Sequence, residues 1–154
     1  MLKKIISGGQ TGVDRAALDF ALEAEIECGG WCPRGRIAED GPIEQKYPLE
    51  ETPSEEYAQR TEWNVRDSDA TLILTIGEPK GGTALTVYLA GRLRRPCLVV
   101  DLSSGLQAQS VRDWLKERRV SVLNVAGPRE SNFPAIGLLA KEFLAQVFER
   151  ESAP

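Results

Sequence analysis

Two hydrophobic rhythms alternate along this chain: short apolar runs, and longer stretches in which apolar residues return every three or four positions. The runs predict strands buried on both faces, and the periodic stretches predict amphipathic helices packed on them. Residues 3–7 read as a strand, after which Val13, Ala16, Ala17, Phe20, Ala21 and Ala24 line one face of a helix. Residues 27–33 read as a second short strand, weakened by glycine and stopped by Pro33. Thr52, Pro53, Ser54 and Glu55 have the form of a capping box with proline at the first helical position. They predict a helix to about Ser68 that turns Tyr57, Ala58, Thr61 and Val65 inward.

Residues 69–76 are the clearest buried strand, and a glycine turn at 77–83 leads into a helix presenting Leu85, Tyr88 and Leu89. Residues 96–102 form a fourth strand, and residues 110–113 open a helix containing Val111, Trp114 and Leu115. A fifth strand covers 120–125. The closing helix repeats Ile136, Leu139, Ala140, Phe143, Leu144, Val147 and Phe148 at the helical period.

Strands alternating with helices in this way predict an α/β domain of three layers, with a mostly parallel sheet of about five strands and helices on both faces. Residues 1–150 are expected to form one ligand-binding domain, with 151–154 as a frayed end. In such sheets ligands bind beyond the carboxyl ends of the strands, near the point where the crossovers reverse direction. The unusual loops at Gly8, Cys32, Gly81 and Gly127 all follow strands.

Composition narrows the chemistry. A 154-residue chain with 42% hydrophobic residues can bury a core, while a formal charge of -4 removes the broad attraction that nonspecific nucleic-acid binding needs. No apolar segment of signal or membrane-spanning length follows Met1, Leu2, Lys3 and Lys4, so the expectation is a cytoplasmic protein without membrane association. Three cysteines and no histidine leave no disulfide framework and no histidine-bearing metal site, and they exclude Ser/His and Cys/His catalysis.

The remaining candidates are anion binders. Gly8, Gly9, Gln10, Thr11 and Gly12 join the first strand to the first helix, where backbone N–H groups and the helix dipole favour a phosphate. Thr11 and Asp14 fit a capping pair, and Asp14 also suits a ligand hydroxyl or an ion. Gly81, Gly82 and Thr83 repeat the strand–glycine–helix arrangement, with Lys80 as a point charge. Gly127 and Arg129 follow the fifth strand. Neither glycine turn has the spacing of a dinucleotide fingerprint or of a Walker loop. Residues 34–53 are long for an idle connection and read as a binding loop, with Arg34 and Arg36 able to reach a phosphate and Cys32 at its root as a ligand contact.

Taken together, Gly8-Gly9-Gln10-Thr11-Gly12-Val13-Asp14, Gly30-Trp31-Cys32-Pro33-Arg34-Gly35-Arg36, Ala38-Glu39-Asp40-Gly41, Asp67-Ser68-Asp69-Ala70-Thr71-Leu72, Gly81-Gly82-Thr83 and the stretch from Asn124 to Ser131 resemble the "putative molybdenum carrier" family. The resemblance spans essentially the whole chain. It implies a Rossmann-like fold and non-catalytic binding of molybdenum cofactor (molybdopterin), a pterin with a dithiolene-bound metal and a terminal phosphate. It further implies a homo-oligomer, with molybdoenzymes or cofactor-biosynthesis proteins as partners.

A more distant resemblance runs to the lysine-decarboxylase-like "lonely guy" phosphoribohydrolases, and it implies the alternative of an enzyme processing a nucleotide or ribosyl phosphate. Arg60 matches that family's arginine, but its glutamate, three residues after Thr83, is here Thr86, which supplies no carboxylate.

Overall fold

The computed structural model describes residues 1–105 and 108–149. In chain order the elements are β1 (Lys4–Ile6), α1 (Val13–Glu23), β2 (Glu27–Gly29), β3 (Trp31–Cys32), β4 (Ile37–Ala38), β5 (Gly41–Pro42), β6 (Glu50–Glu51) and α2 (Tyr57–Arg66). Then follow β7 (Ala70–Thr75), α3 (Gly81–Arg92), β8 (Cys97–Asp101), α4 (Ala108–Glu117), β9 (Val122–Ala126) and α5 (Ile136–Val147). The frayed end expected at 151–154 lies outside the described residues. Among the described residues no helix is long and apolar enough to cross a membrane.

Five strands form an all-parallel sheet in the order β2-β1-β9-β7-β8. Helices α1, α4 and α5 pack together, and α2 packs with α3, which places helices on both faces, as the right-handed crossover rule for parallel strands requires of this strand order. The centre of the sheet explains the apolar runs. All six residues of β7 are buried, and in β9 Leu123, Asn124 and Val125 are buried, with the Asn124 side-chain amide donating to Thr71 Oγ1 at 3.2 Å. The inner faces of α1 and α5 bury Val13, Ala17, Phe20, Ile136, Ala140 and Leu144, and Phe20 stacks on Phe148 at 5.7 Å. The valine, phenylalanine, isoleucine and leucine side chains among them each contribute about 1.5–3 kcal/mol by leaving water.

Crossovers leave β1 toward β2 on one face and β7 toward β8 on the other, so the switch point falls around β9, which lies between them. Counted from β7 round to β2, the order across the sheet becomes 2-1-3-4-5, a doubly wound order.

Three expected elements differ in detail. The strand expected over 27–33 breaks at Gly30, whose φ is +125° and whose added Cβ would lie 2.4 Å from the Ser7 carbonyl. Beyond it, Trp31 and Cys32 leave the main sheet and pair with β6. The α2 helix begins at Tyr57, because the Thr52 N–H is already donated to the Cys32 carbonyl and its hydroxyl to the Ser54 carbonyl. The α4 helix begins at Ala108, which places Ser110 inside it.

The segment between β3 and α2 is an ordered strap. Arg36, in a left-handed conformation (φ 54°), donates to the carbonyls of Ile43, Glu44, Tyr47 and Leu49, so its guanidinium is consumed by the strap itself. Asp40 accepts two hydrogen bonds from Arg15 of α1, and Tyr47 donates to Asp19 at 2.6 Å. The hydroxyl of Thr11 donates to the Glu39 carboxylate, as do the Ser131 hydroxyl and N–H. These hydrogen bonds hold Glu39 below the usual carboxylate range.

Candidate functional site

A cavity of about 660 Å3 opens at the switch point, above the carboxyl ends of β7 and β9. Its walls come from Gln10 and Asp14 at the start of α1, Arg60 of α2, residues 75–78, 80–83 and Thr86 around the start of α3, and residues 126–129 with Asn132 and Phe133 after β9. The three cations Arg60, Lys80 and Arg129 face one space with the carboxylates of Asp14 and Glu78.

The two strand–glycine–helix turns behave differently. At the start of α3, Gly81 has a φ of +53°, and a Cβ added to Gly81 or Gly82 would meet nothing within 4 Å. No side chain caps this helix. The N–H groups of Gly81 and Gly82, both cavity-lining residues, have no partner within the helix, whereas the Thr83 N–H donates to the Lys80 carbonyl at 3.1 Å.

At the start of α1 the glycines serve close packing. A Cβ at Gly8 would lie 2.7 Å from Arg60 Nε, one at Gly9 2.6 Å from Leu49 Cδ1, and one at Gly12 2.4 Å from the Pro128 carbonyl. A Cβ at Gly127 would lie 2.1 Å from the Leu74 carbonyl. The N–H of Val13 donates to the Pro128 carbonyl, the N–H of Thr11 to Gln10 Oε1, and the N–H of Gln10 to Asp14 Oδ2 at 3.4 Å. Thr11, expected as the N-cap of α1, is displaced from that role by Gly12, and its hydroxyl serves Glu39 instead.

Asp14 is 4% exposed, and its Oδ2 also lies 3.9 Å from Arg60 Nη2. Burial raises its carboxyl above the usual range, against the opposing pull of Arg60, the Gln10 N–H, Arg15 and Arg129. Gln10 is 5% exposed; its Oε1 accepts from the N–H groups of Thr11 and Glu39, and its Nε2 has no partner. Those two acceptor contacts fix which end of the amide is the oxygen.

Two guanidiniums lie over the Tyr57 ring, Arg60 at 5.3 Å and Arg129 at 5.4 Å from its centre. Arg129 also lies 3.9 Å from Glu39, which connects the strap to the cavity wall.

Of the residues singled out from the sequence, Gln10, Asp14, Lys80, Gly81, Gly82, Thr83, Gly127 and Arg129 come together around this cavity. Gly8, Gly9, Thr11 and Gly12 lie behind it, in the packing of the α1 turn. Arg34 is a surface residue paired with Glu55 at 3.2 Å. Cys32 is fully buried in the core, which pushes its thiol up, and it does not line this cavity. The strap walls a second, more open groove with α1 and α5 rather than covering this cavity. Tyr57, Asn132 and Phe133 were not legible as site residues; Tyr57 was read as an inward helix position, and its role depends on Arg129, 72 positions later.

The profile of a family described as circularly permutated YpsA SLOG matches residues 5–148. The permutation in that description agrees with a strand order that becomes doubly wound when counted from β7. The chain is also similar to a crystal structure described as a "putative molybdenum carrier protein" from Syntrophus aciditrophicus SB, with 44% identity over 96% of this chain and 95% of that one, and a TM-score of 0.92. No curated protein matches the chain.

Proposed function

The chain belongs to the circularly permutated YpsA SLOG family, and from that premise we propose that it is a carrier that binds molybdenum cofactor for storage or delivery. The observation that carries the reading is the open start of α3, where the uncapped Gly81 and Gly82, Lys80 and two arginines line a cavity of about 660 Å3. The terminal phosphate of the cargo is assigned to the backbone N–H groups of Gly81 and Gly82, with Lys80 as its countercharge. Arg60 and Arg129, both over the Tyr57 ring, supply positive charge for the rest of an anionic ligand.

No cysteine lines the cavity, so the protein offers the metal no thiolate, and the dithiolene of the cargo remains its sulfur donor. The lining fits a binding role: Thr86 donates its hydroxyl to the Gly82 carbonyl and provides no acid or base.

The alternative of a nucleotide- or ribosyl-phosphate-processing enzyme draws on one observation, the buried Asp14 carboxyl beside Arg60 in the same cavity. Protein purified without oxygen and extracted for mass spectrometry separates the two readings. A pterin phosphate in the extract, with no base released from nucleoside monophosphates, is the expected result. A nucleotide in the extract together with turnover that Asp14→Asn abolishes overturns the carrier reading.

A further inference from the structure

The cavity has a second recognition end, opposite in chemistry to the start of α3. Oδ2 of Asp14 takes the Gln10 N–H and faces Arg60, whereas among the described residues no donor reaches Oδ1. On the same wall Gln10 carries Nε2, a buried donor without a partner, pinned in direction because its Oε1 is held by the N–H groups of Thr11 and Glu39. An unmet buried donor is costly, and both residues line the cavity. A carboxylate next to an amide donor is complementary to a planar edge carrying N–H groups beside a carbonyl oxygen.

We propose that Asp14 and Gln10 recognise the 2-amino-4-oxo-pyrimidine edge of the ligand, with Asp14 accepting from its N–H groups and Gln10 Nε2 donating to its oxygen. This rests on the carrier reading for the choice of a pterin over a guanine, which presents the same edge. The two ends of the cavity then divide the work: one reads the ring, and the other holds the phosphate.

The test uses paired ligands that differ only at the amino group, 6-hydroxymethylpterin phosphate against its 2-oxo lumazine counterpart, and GMP against IMP, with binding followed by calorimetry. Loss of a hydrogen bond to a charged group costs about 10- to 100-fold in affinity, and that is the preference expected for the pterin over the lumazine. Asp14→Asn should erase the preference, and an unchanged circular dichroism spectrum shows that the variant is folded. Gln10→Glu, which keeps the acceptor for Thr11 and Glu39 and replaces the donor, should weaken both pteridines through their shared 4-oxo group.

Equal binding of the two members in both pairs, or a preference that survives Asp14→Asn, overturns the assignment. Retention of molybdopterin by the same preparation is measured separately. Retention without any amino preference removes the edge assignment and leaves the carrier, while a preference confined to GMP over IMP supports the edge and removes the pterin cargo.

Discussion

The turns that open α1 and α3 are built from the same sequence materials, a buried strand, two or three glycines and a helix, yet they do opposite work. At α1 the glycines let backbone and side chains approach until a single added carbon would collide with Pro128 or Arg60, and the N–H groups of Gln10, Thr11 and Val13 are taken. At α3 the glycines border open space and the N–H groups of Gly81 and Gly82 remain available. Glycine in a strand-to-helix turn thus marks close approach, without stating whether the approaching partner is the protein or a ligand.

The comparison can be broken most sharply at Gly127, which closes the packing around α1. Gly127→Ala sets a Cβ against the Leu74 carbonyl and should cost about 3 kcal/mol, read as a lower urea midpoint with unchanged slope. Gly82→Asp should do the reverse. Its side chain has room, so the urea midpoint stays, while a carboxylate beside the phosphate weakens cofactor binding by about 100-fold or more in an anaerobic assay.

Asp14 sharpens the contrast from within the cavity. Its carboxyl is raised in the folded state, so the favourable contribution of the neutral form is complete below the ordinary value of 3.8 and is lost as pH rises through the folded value. Asp14→Asn should therefore raise the Tm at pH 7 relative to the parent, and the difference should shrink as pH falls toward 3. A smaller effect is expected for Gly82→Ala, which gains about 0.5–1 kcal/mol from helix propensity, whereas the same substitution at Gly12 destabilises.

The smallest effect concerns the strap. The folded-state value of Glu39 is depressed, so its contribution exists above the ordinary value of 4.5 and disappears as pH falls through the folded one. The Tm difference between the parent and Glu39→Gln should be present at pH 7 and absent near pH 3.

How legible the molecule was in its sequence follows the same division. The buried run of β7 and the inner faces of α1 and α5 stand out because burial imposes a local period that needs no knowledge of the partner. The start of α3 was legible for a related reason, since its glycines remain unencumbered. The roles of Gly12 and Arg36 were not, because their partners are backbone carbonyls whose positions depend on other loops. Cys32 reads as a ligand contact at a strand end, and it is buried where Gly30 redirects the chain into a separate pairing with β6.

The position of β9 between β1 and β7 also has a consequence for assembly. Residues 4–29 can form one two-stranded unit and residues 70–101 another, but the two join only through β9, where Lys4 stands opposite Val122. Pairing across more than a hundred residues carries a larger loop-closure cost than pairing within either unit, and until it forms both units keep an unpaired strand edge. The cavity has one wall on each unit and a third on the segment after β9, so it is complete only once β9 is in place. The central strand is thus the keystone of the cavity as well as of the sheet.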